Sequence, residues 1–412
     1  MDRRVVITGL GLVSPLGSDL NLFWQRITSG QSGIGPITKF DVSALDARIG
    51  GEVIEFNVDD FVGHKEQRRM DSYSHYAIAA AKLAVKDSGL KPEAEDPTRM
   101  GVVVSSGIGG LTTVETQYAI LVEKGPSRCS PFMIPQMISN MAAGHIAIEF
   151  NMKGPNYAVV SACATALHSL GDALRIVQRG DADIMLGGGS EASICILGVA
   201  GFCALRALST RNDEPTKASR PFDANRDGFV MSDGAAVIVV EEFEHAKKRG
   251  APIYCELSGF GMTCDAYHMT APAEGGEGAA MAMQCAMNDA KLGPDGIDYI
   301  NAHGTSTQLN DKAETKAIKK AFGEERARKV MISSTKSMTG HLLGAAGGIE
   351  TVVCAMAVKT GVIPPTINYE TPDPECDLDY VPNTAREHKV RACLNNSFGF
   401  GGHNACMLYK AL

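Results

Sequence analysis

Cys163 is a candidate nucleophile because of where it lies between two predicted elements. It follows residues 157–161, which predict a buried strand, and precedes residues 164–179, which predict a helix. A sulfur at the start of a helix lies near unpaired N–H groups and the positive end of the helix dipole, and both favour the thiolate over the thiol. The sharp turn between strand and helix would also expose the sulfur. This placement singles out one of the eleven cysteines for nucleophilic chemistry.

Two histidines and a lysine lie in segments that are rich in glycine and hydroxyl residues. His303 follows the predicted strand 299–302, and His341 precedes a run of small residues that indicates a tightly packed helix start. A histidine buried at such a place needs hydrogen-bond partners. Lys336, if buried, needs a carboxylate partner, for which Glu350 is a candidate. One cysteine with two histidines fits a cysteine hydrolase or an acyl transferase, and these residues alone do not choose between them.

The elements that must position these side chains alternate between short β-branched runs and longer helical patterns. This alternation predicts an α/β protein with mainly parallel sheets. The charged stretch 241–252 predicts a boundary between two halves, residues 1–250 and 251–412. In each half a predicted strand leads to a reactive residue, Cys163 or His303, which indicates a duplicated fold. Strands are predicted at 5–8, 100–105, 157–161, 184–187, 237–241, 299–302, 330–333 and 392–395, and helices at 74–88, 164–179 and 278–291.

The composition excludes several classes of protein. A chain of 412 residues with 44% hydrophobic and 21% charged residues is typical of a folded globular protein. A net charge of −8 argues against a nucleic-acid partner. No two cysteines have the C-x-x-C spacing of a metal or redox site, which favours a reducing compartment. The longest apolar stretch, 194–205, is too short to span a bilayer. We therefore expect a cytoplasmic protein with no metal and no membrane partner.

Four motifs along the chain resemble those of the β-ketoacyl-[acyl-carrier-protein] synthases. Two shorter segments, VVITG at 5–9 and RDGF at 226–229, also resemble this family, so the resemblance covers essentially the whole chain. The chain is most similar to the synthase II branch of fatty-acid elongation. A type II polyketide-type ketosynthase with the same Cys-His-His residues is the alternative. The four motifs are SACAT at 161–165, NAHGTST at 301–307, TKSMTGH at 335–341 and NSFGFGG at 396–402.

The resemblance implies a fold and a reaction. The fold is thiolase-like: two similar halves stack in five layers, αβαβα, and the enzyme is a homodimer. Cys163 would take an acyl chain from acyl carrier protein as a thioester. Malonyl-carrier protein would then lose CO2, and the carbanion would attack the acyl-enzyme. The 4'-phosphopantetheine arm arrives on the carrier protein, and no other cofactor is implied.

The resemblance also implies roles for single residues. His303 and His341 would form an oxyanion hole for the malonyl thioester, and Lys336, paired with Glu350, would order the site through its charge. The backbone N–H groups of Cys163 and Phe400 would bind the oxygen of the acyl thioester. Phe400, which lies between two glycines, would act as a gate. The substrate-binding positions implied are Ile108, Phe202 and the partner subunit's Met133 for the acyl tail, and Thr270, Thr305, Thr307 and Phe398 for the remainder of the substrate.

An acidic enzyme that binds an acidic carrier protein needs a local basic surface. Lys65, Arg68 and Arg69 have the spacing of one helical face, and Arg128 and Arg206 are further candidates for this docking surface.

Three positions depart from the pattern of the family. Ala166 stands where glycine is usual, Met133 where phenylalanine is frequent, and His403 where threonine is usual. None of them is one of the catalytic groups. We expect them to affect the preferred length of the acyl chain.

Overall fold

The apolar strands predicted from the sequence form the centre of the computed structural model, which describes residues 3–412. The strands are β1 (Val5–Val13), β2 (Gly35–Pro36), β3 (Ile49–Gly50), β4 (Met100–Ser105), β5 (Ile184–Glu191), β6 (Gly234–Glu242), β7 (Cys255–Cys264), β8 (Tyr299–Asn301), β9 (Met331–Ser333), β10 (Val362–Ile363), β11 (Arg386–Glu387), β12 (Ala392–Gly399) and β13 (His403–Lys410).

The helices lie between these strands and are mostly amphipathic or wholly buried. They are α1 (Leu20–Thr28), α2 (His64–Gln67), α3 (Ser72–Ser88), α4 (Leu111–Lys124), α5 (Met133–Met137), α6 (Met141–Phe150), α7 (Thr165–Arg179), α8 (Ile196–Ala204), α9 (Phe243–Lys248), α10 (Glu277–Asp289), α11 (Gln308–Phe322), α12 (Glu324–Ala327), α13 (Lys336–Thr339) and α14 (Ala346–Thr360). Short 3-10 helices occur at Val58–Asp60, Pro92–Ala94, Pro97–Arg99, Pro126–Arg128, Ala162–Ala164, Pro215–Lys217, Pro294–Gly296 and Leu343–Ala345.

Nine strands form one hydrogen-bonded sheet in the order β4-β5-β6-β1-β7-β13-β12-β8-β9. The expectation of mainly parallel sheets is wrong, because only three of the eight pairings (β4–β5, β8–β12 and β8–β9) are parallel. Strands β12 and β13 are consecutive in sequence and separated by only a few residues, and so short a connection enforces antiparallel pairing.

Helices cover the two parts of this sheet in five layers. Helices α3 and α6 pack on β1, β4, β5 and β6, while α10 and α11 pack on β7, β8, β12 and β13. The buried helices α7 and α14 lie between the two parts and share one apolar core with both. The predicted thiolase-like αβαβα arrangement is therefore confirmed.

The duplication is visible at the start of the two central helices. Each has fifteen residues and follows a 3-10 turn, Ala162–Ala164 before α7 and Leu343–Ala345 before α14. The first residue of each turn has a positive φ, 51° at Ala162 and 48° at Leu343. The counterpart of the turn at Cys163 is thus the turn at Leu343, and not the segment around His303 that the sequence indicated.

The predicted strand at 157–161 is wrong, because this segment contains no strand. It touches β4 through one isolated bridge, Val102 with Asn156. Beyond that bridge, backbone N–H groups of this segment donate to side-chain hydroxyls. The N–H of Val159 donates to Ser105 Oγ at 2.8 Å, and the N–H of Ser161 donates to Thr165 Oγ1 at 3.0 Å. Side-chain acceptors therefore replace the backbone ladder and bend the chain towards Cys163.

The charged stretch 241–252 contains helix α9, which joins β6 to β7. Both strands pair with β1, so the sheet continues across the predicted boundary through Val6–Glu256 and Ile7–Cys255. The division of the chain into two halves between residues 250 and 251 stays a prediction.

Within residues 3–412, one helical segment, Leu343–Thr360, is long and apolar enough to cross a membrane, but 83% of it is buried inside the protein, as in a core helix.

Candidate active site

Cys163 lies in the tight turn that precedes α7, and the end of β12 packs directly against it. Ser397 Oγ donates to the carbonyl oxygen of Cys163 at 2.8 Å. A Cβ at Gly399 would lie 2.5 Å from Ser161 O and 3.2 Å from Cys163 N, so only glycine permits this approach. The positive φ of Ala162 is an unfavourable backbone conformation that the surrounding packing maintains. This strained turn aims the sulfur at the cavity.

The structure brings Cys163 together with both histidines. Nε2 of His341 lies 3.0 Å from Sγ of Cys163. The rings of His303 and His341 are 5.3 Å apart between centroids and nearly perpendicular, at 85°. Nitrogen atoms of the two rings and the sulfur all lie within 4.8 Å of one another. Three residues from distant parts of the chain therefore face one small volume.

Burial sets the protonation states of this group. It lowers the pKa of His303 and of His341 well below the usual 6.5, and the charge of Lys336 lowers both further. Both rings are therefore neutral near pH 7, and each offers one N–H. Burial also raises the pKa of the Cys163 thiol to about 12, although Lys336 and the N–H groups of Phe400 and Cys163 act in the opposite direction.

The helix start and Lys336 favour a thiolate at Cys163, as expected, but burial opposes them and raises the pKa of the thiol overall. Loss of solvation outweighs the helix terminus because the side chain is almost fully enclosed. A buried thiol of this kind needs a proton acceptor in contact with it. Nε2 of His341 is in that position.

Lys336 and Glu350 form a buried ion pair behind the two histidines. The Nζ of Lys336, in α13, contacts Oε1 of Glu350, in α14, and neither residue is exposed by more than a few per cent. Burial raises the pKa of Glu350 to about 7, and Lys336 opposes this rise. Neither side chain lines the cavity. Lys336 reaches the site only through its charge, which lowers the pKa of Cys163, His303 and His341.

A cavity of about 450 Å³ opens in front of Cys163 and the histidines. Thr305 Oγ1 and Thr307 Oγ1 lie 3.0 Å apart in its wall. Phe229 packs edge-on against His341 and against Phe202, so aromatic rings continue the wall away from the sulfur. The sequence-predicted residues that line this cavity are Cys163, His303, His341, Phe400, Ile108, Phe202, Thr270, Thr305, Thr307, Phe398 and Arg206.

The loop that carries Phe400 has a backbone that requires glycine. Gly401 and Gly402 have φ values of 88° and 75°, which other residues rarely adopt. The N–H of Gly401 donates to Met269 O at 2.7 Å, which ties this loop to the loop containing Thr270.

Four of the five predicted docking residues lie on the surface outside the cavity. Lys65 is in the four-residue helix α2, which ends at Gln67 with Arg68 as its C-cap, so no continuous helical face joins Lys65 to Arg69. The guanidinium of Arg69 instead stacks on Phe132, 5.2 Å from the ring centroid. Arg128 is exposed in the 3-10 turn Pro126–Arg128. Only Arg206 is exposed at the mouth of the cavity.

The three departures from the family pattern lie in different surroundings. Ala166 is buried, and glycines face its methyl group: a Cβ at Gly189 would lie only 3.0 Å from it. Met133 begins α5 and is half-buried, but it does not line the cavity of its own chain. His403 is exposed beside Gly401, where a Cβ would lie 2.9 Å from its Nε2.

Glu314 is a residue of this site that the sequence did not reveal. It lies in α11, and its carboxylate accepts the N–H groups of His303 at 2.8 Å and Gly304 at 2.7 Å, and the amide of Asn396 at 3.1 Å. It therefore holds the backbone of His303 in place. Nothing local marks it, because it is one of several charged residues in an ordinary helical pattern.

Glu191 was also missed. It ends β5, is fully buried, lines the cavity and binds backbone from two distant segments. Burial raises its pKa to about 7. A charged residue at the end of an apolar, glycine-rich strand was a visible signal for this position.

Comparison with known proteins agrees with this geometry. The family model described as "Beta-ketoacyl synthase, N-terminal domain" matches residues 2–246, and the model of the C-terminal domain matches residues 254–370. The chain is 53% identical over 408 residues to 3-oxoacyl-[acyl-carrier-protein] synthase 2 of Synechocystis, covering 99% of this chain and 98% of that protein.

Two solved structures superpose over their full length and over the whole of this chain. One is a β-ketoacyl synthase from Burkholderia phymatum, with a TM-score of 0.93 and 37% identity. The other is a ketosynthase of a type II polyketide synthase in complex with its acyl-carrier protein, with a TM-score of 0.92 and 35% identity.

Proposed function

Because the chain belongs to the β-ketoacyl synthase family, we propose that it extends acyl chains on acyl carrier protein as a synthase II of fatty-acid elongation. The contact between Cys163 Sγ and His341 Nε2, with His303 beside it, is the observation that carries this proposal. Identity of 53% to a synthase of this type, against 35% to a polyketide ketosynthase, favours fatty-acid elongation over the polyketide alternative.

The first half-reaction transfers an acyl group to Cys163. The thiol passes its proton to Nε2 of His341, and the sulfur attacks the thioester carbonyl of the acyl-carrier protein. The N–H groups of Cys163 and Phe400, which already point towards the sulfur, bind the oxygen that becomes negative. The carbon–sulfur bond to pantetheine then breaks, and the pantetheine thiol leaves with the proton.

The second half-reaction uses the two histidines on malonyl-carrier protein. Loss of CO2 places negative charge on the malonyl thioester oxygen, and N–H groups of neutral His303 and of His341, now in the tautomer that carries its proton on Nε2, stabilise it. The carbanion attacks the acyl thioester on Cys163, whose sulfur leaves as a thiolate and takes a proton from solvent to regenerate the thiol. Lys336 contributes through its charge and through its pair with Glu350 rather than by contact with substrate.

The remaining roles follow the walls of the cavity. We assign Thr270, Thr305, Thr307 and Phe398 to the pantetheine arm, and Ile108 and Phe202 to the acyl tail.

Cys163, His303 and His341 are close enough together to hold a metal ion, but a metal bound to the sulfur would block its acylation. The proposal therefore includes no metal and no cofactor other than the pantetheine of the carrier protein. The cytoplasmic location stays a prediction.

An exposed apolar face supports the proposed homodimer. Helix α4 packs against α5 and α8, and large apolar side chains on these three helices remain in solvent. Exposed apolar area of this kind is typical of an interface between subunits. We propose that a second copy covers it, which would bring the partner subunit's Met133 towards the acyl tail. The exposed side chains are Tyr118, Leu121 and Val122 of α4, Phe132 just before α5, Ile134 of α5, and Ile196 and Leu197 of α8.

The function is tested by supplying malonyl-carrier protein with acyl-carrier proteins of graded length and identifying the products by mass. We expect β-ketoacyl products two carbons longer than each primer. Free acid released without malonyl substrate would instead indicate a hydrolase. Products from repeated condensation on a short primer, with no activity on long primers, would indicate the polyketide alternative.

Reversing the charge at Lys65 tests the docking surface. Because Lys65 is exposed on the short helix α2, Lys65→Glu should leave the fold intact. We expect KM for carrier-bound substrate to rise about three- to tenfold at low salt, and less above the ionic strength that screens exposed charges. Lys248→Glu, an exposed lysine in α9, is the matched control. Unchanged kinetics in Lys65→Glu would remove this residue from the docking surface.

A further inference from the structure

We propose that Glu191 is a positioning residue that holds Ile108 in the wall of the acyl-tail region and thereby sets which acyl lengths the enzyme extends. This inference rests on the proposed condensing function and specifies a determinant of its substrate range. Glu191 does not need to touch the acyl chain to act in this way. It acts through the backbone that carries Ile108.

The carboxylate of Glu191 accepts hydrogen bonds from two separate segments. Oε1 accepts from the hydroxyl of Ser106 at 2.5 Å and from the N–H of Ile108 at 3.3 Å. The N–H of Ile108 is shared, because Ser106 Oγ accepts it at the same distance of 3.3 Å. Oε2 accepts from the N–H of Gly107 at 3.0 Å and from the N–H of Gly344 at 3.0 Å. One side chain therefore fixes the loop after β4 against the turn before α14.

The backbone around this carboxylate leaves no space for adjustment. A Cβ at Gly107 would lie 2.8 Å from Glu191 Oε2 and 3.2 Å from Ala162 O, in the turn of the nucleophile. A Cβ at Gly344 would lie 2.3 Å from Gly107 N. In such a packed junction, a shift of the carboxylate must move its neighbours. The nearest side chain that projects into the cavity from the bound loop is Ile108, which is 42% exposed there.

The chemistry of the carboxylate explains why an amide cannot replace it. In its ionised form, which its pKa of about 7 makes only part of the population near neutral pH, the carboxylate accepts from all four donors, whereas glutamine has one accepting oxygen. In Glu191→Gln the oxygen would remain with the N–H groups of Gly107 and Gly344. The NH2 would then face the Ser106 hydroxyl, which can turn to accept, and the N–H of Ile108, which cannot. Glutamine keeps the shape of the side chain but places an N–H donor against the N–H of Ile108, which then has only Ser106 Oγ as an acceptor.

The test is the profile of acyl lengths in Glu191→Gln. Acetyl-carrier protein is the reference primer, because an acetyl group has no tail. We expect the ratio of kcat/KM between tetradecanoyl and octanoyl primers to change by about fivefold or more, beyond any loss that acetyl and the longer primers share, as expected for altered contacts with methylene groups. An equal loss on every primer, acetyl included, would overturn the proposal, because a purely structural role predicts that result.

A double-mutant cycle with Ile108→Ala tests whether the effect passes through Ile108. We expect Glu191→Gln to change the length ratio in the wild-type background and to leave it unchanged in the Ile108→Ala background. Equal effects in both backgrounds would overturn the proposed route.

A second variant keeps the test decisive if Glu191→Gln does not fold. Ser106 Oγ donates to Glu191 and accepts the N–H of Gly109 at 2.7 Å, so Ser106→Ala should loosen the same loop and shift the ratio less, without burying a new polar group. An unchanged ratio in Ser106→Ala would then overturn the proposal. Failure of the wild-type enzyme to condense any primer would reject the proposed function, whereas normal wild-type condensation with an unchanged profile in the variants rejects only the role of Glu191.

Discussion

Replacing Cys163 with alanine is expected to abolish condensation, with a fall in turnover of at least about three orders of magnitude. The sulfur is the atom that His341 contacts and that the N–H groups of Phe400 and Cys163 face, and alanine provides no nucleophile there. Incubation of Cys163→Ala with acyl-carrier protein should leave the intact mass of the enzyme unchanged. Both histidines remain, so we expect slow release of CO2 from malonyl-carrier protein without a condensed product.

The control for this variant is another cysteine. Cys285 lies exposed on α10 and outside the cavity, so Cys285→Ala should form the acyl adduct and condense normally. An acyl adduct on Cys163→Ala would contradict the assignment of the nucleophile. Loss of the adduct in Cys285→Ala would show that the modified residue had been misidentified.

Replacing His303 with alanine is expected to slow decarboxylation by about two to three orders of magnitude, since it removes one donor to the developing negative charge. Acylation of Cys163 should change much less. His341→Ala should also cost decarboxylation more than acylation. Because its Nε2 touches Sγ, however, we expect the loss of acylation to be larger than in His303→Ala. His303→Ala should therefore separate the effect on decarboxylation from the effect on acylation better than His341→Ala.

The two steps can be measured separately on the same variants. The rate of adduct formation, followed by intact mass, reports acylation, and CO2 release from malonyl-carrier protein reports decarboxylation. His388→Ala, an exposed histidine outside the cavity, should change neither rate. Equal losses of both steps in His303→Ala would argue against the oxyanion role.

Much of the fold could be predicted because strands and helices here have regular apolar patterns. Strand β4 matches its predicted bounds, and helix α3 begins two residues earlier than predicted. The strand at 157–161 failed because hydroxyl groups of Ser105 and Thr165 take its N–H groups, and local propensity does not include such contacts. The mixed direction of the sheet depends on which strands become neighbours, and alternation of elements along the chain does not specify that.

The residues of the site divide in the same way. The motifs around Cys163, His303 and His341 could be recognised in the sequence because each combines a reactive side chain with small or hydroxyl residues in a short segment. Glu314 could not be recognised in the sequence, because its role is to accept hydrogen bonds from the backbone N–H groups of His303 and Gly304. Glu191 binds Gly107 and Gly344, which lie far from it along the chain. Contacts of this kind exist only after the chain has folded.

By itself, the sequence determined which residues can react and which family they belong to, because these properties depend on side-chain identity and local order. Only the tertiary structure decided the protonation states of these residues in the free protein. Helix polarity at Cys163 predicts a thiolate, but enclosure by the surrounding elements removes solvent from the sulfur and raises its pKa to about 12. The same enclosure keeps His303 and His341 neutral. Desolvation depends on every element packed around an atom, so no local stretch of sequence contains it.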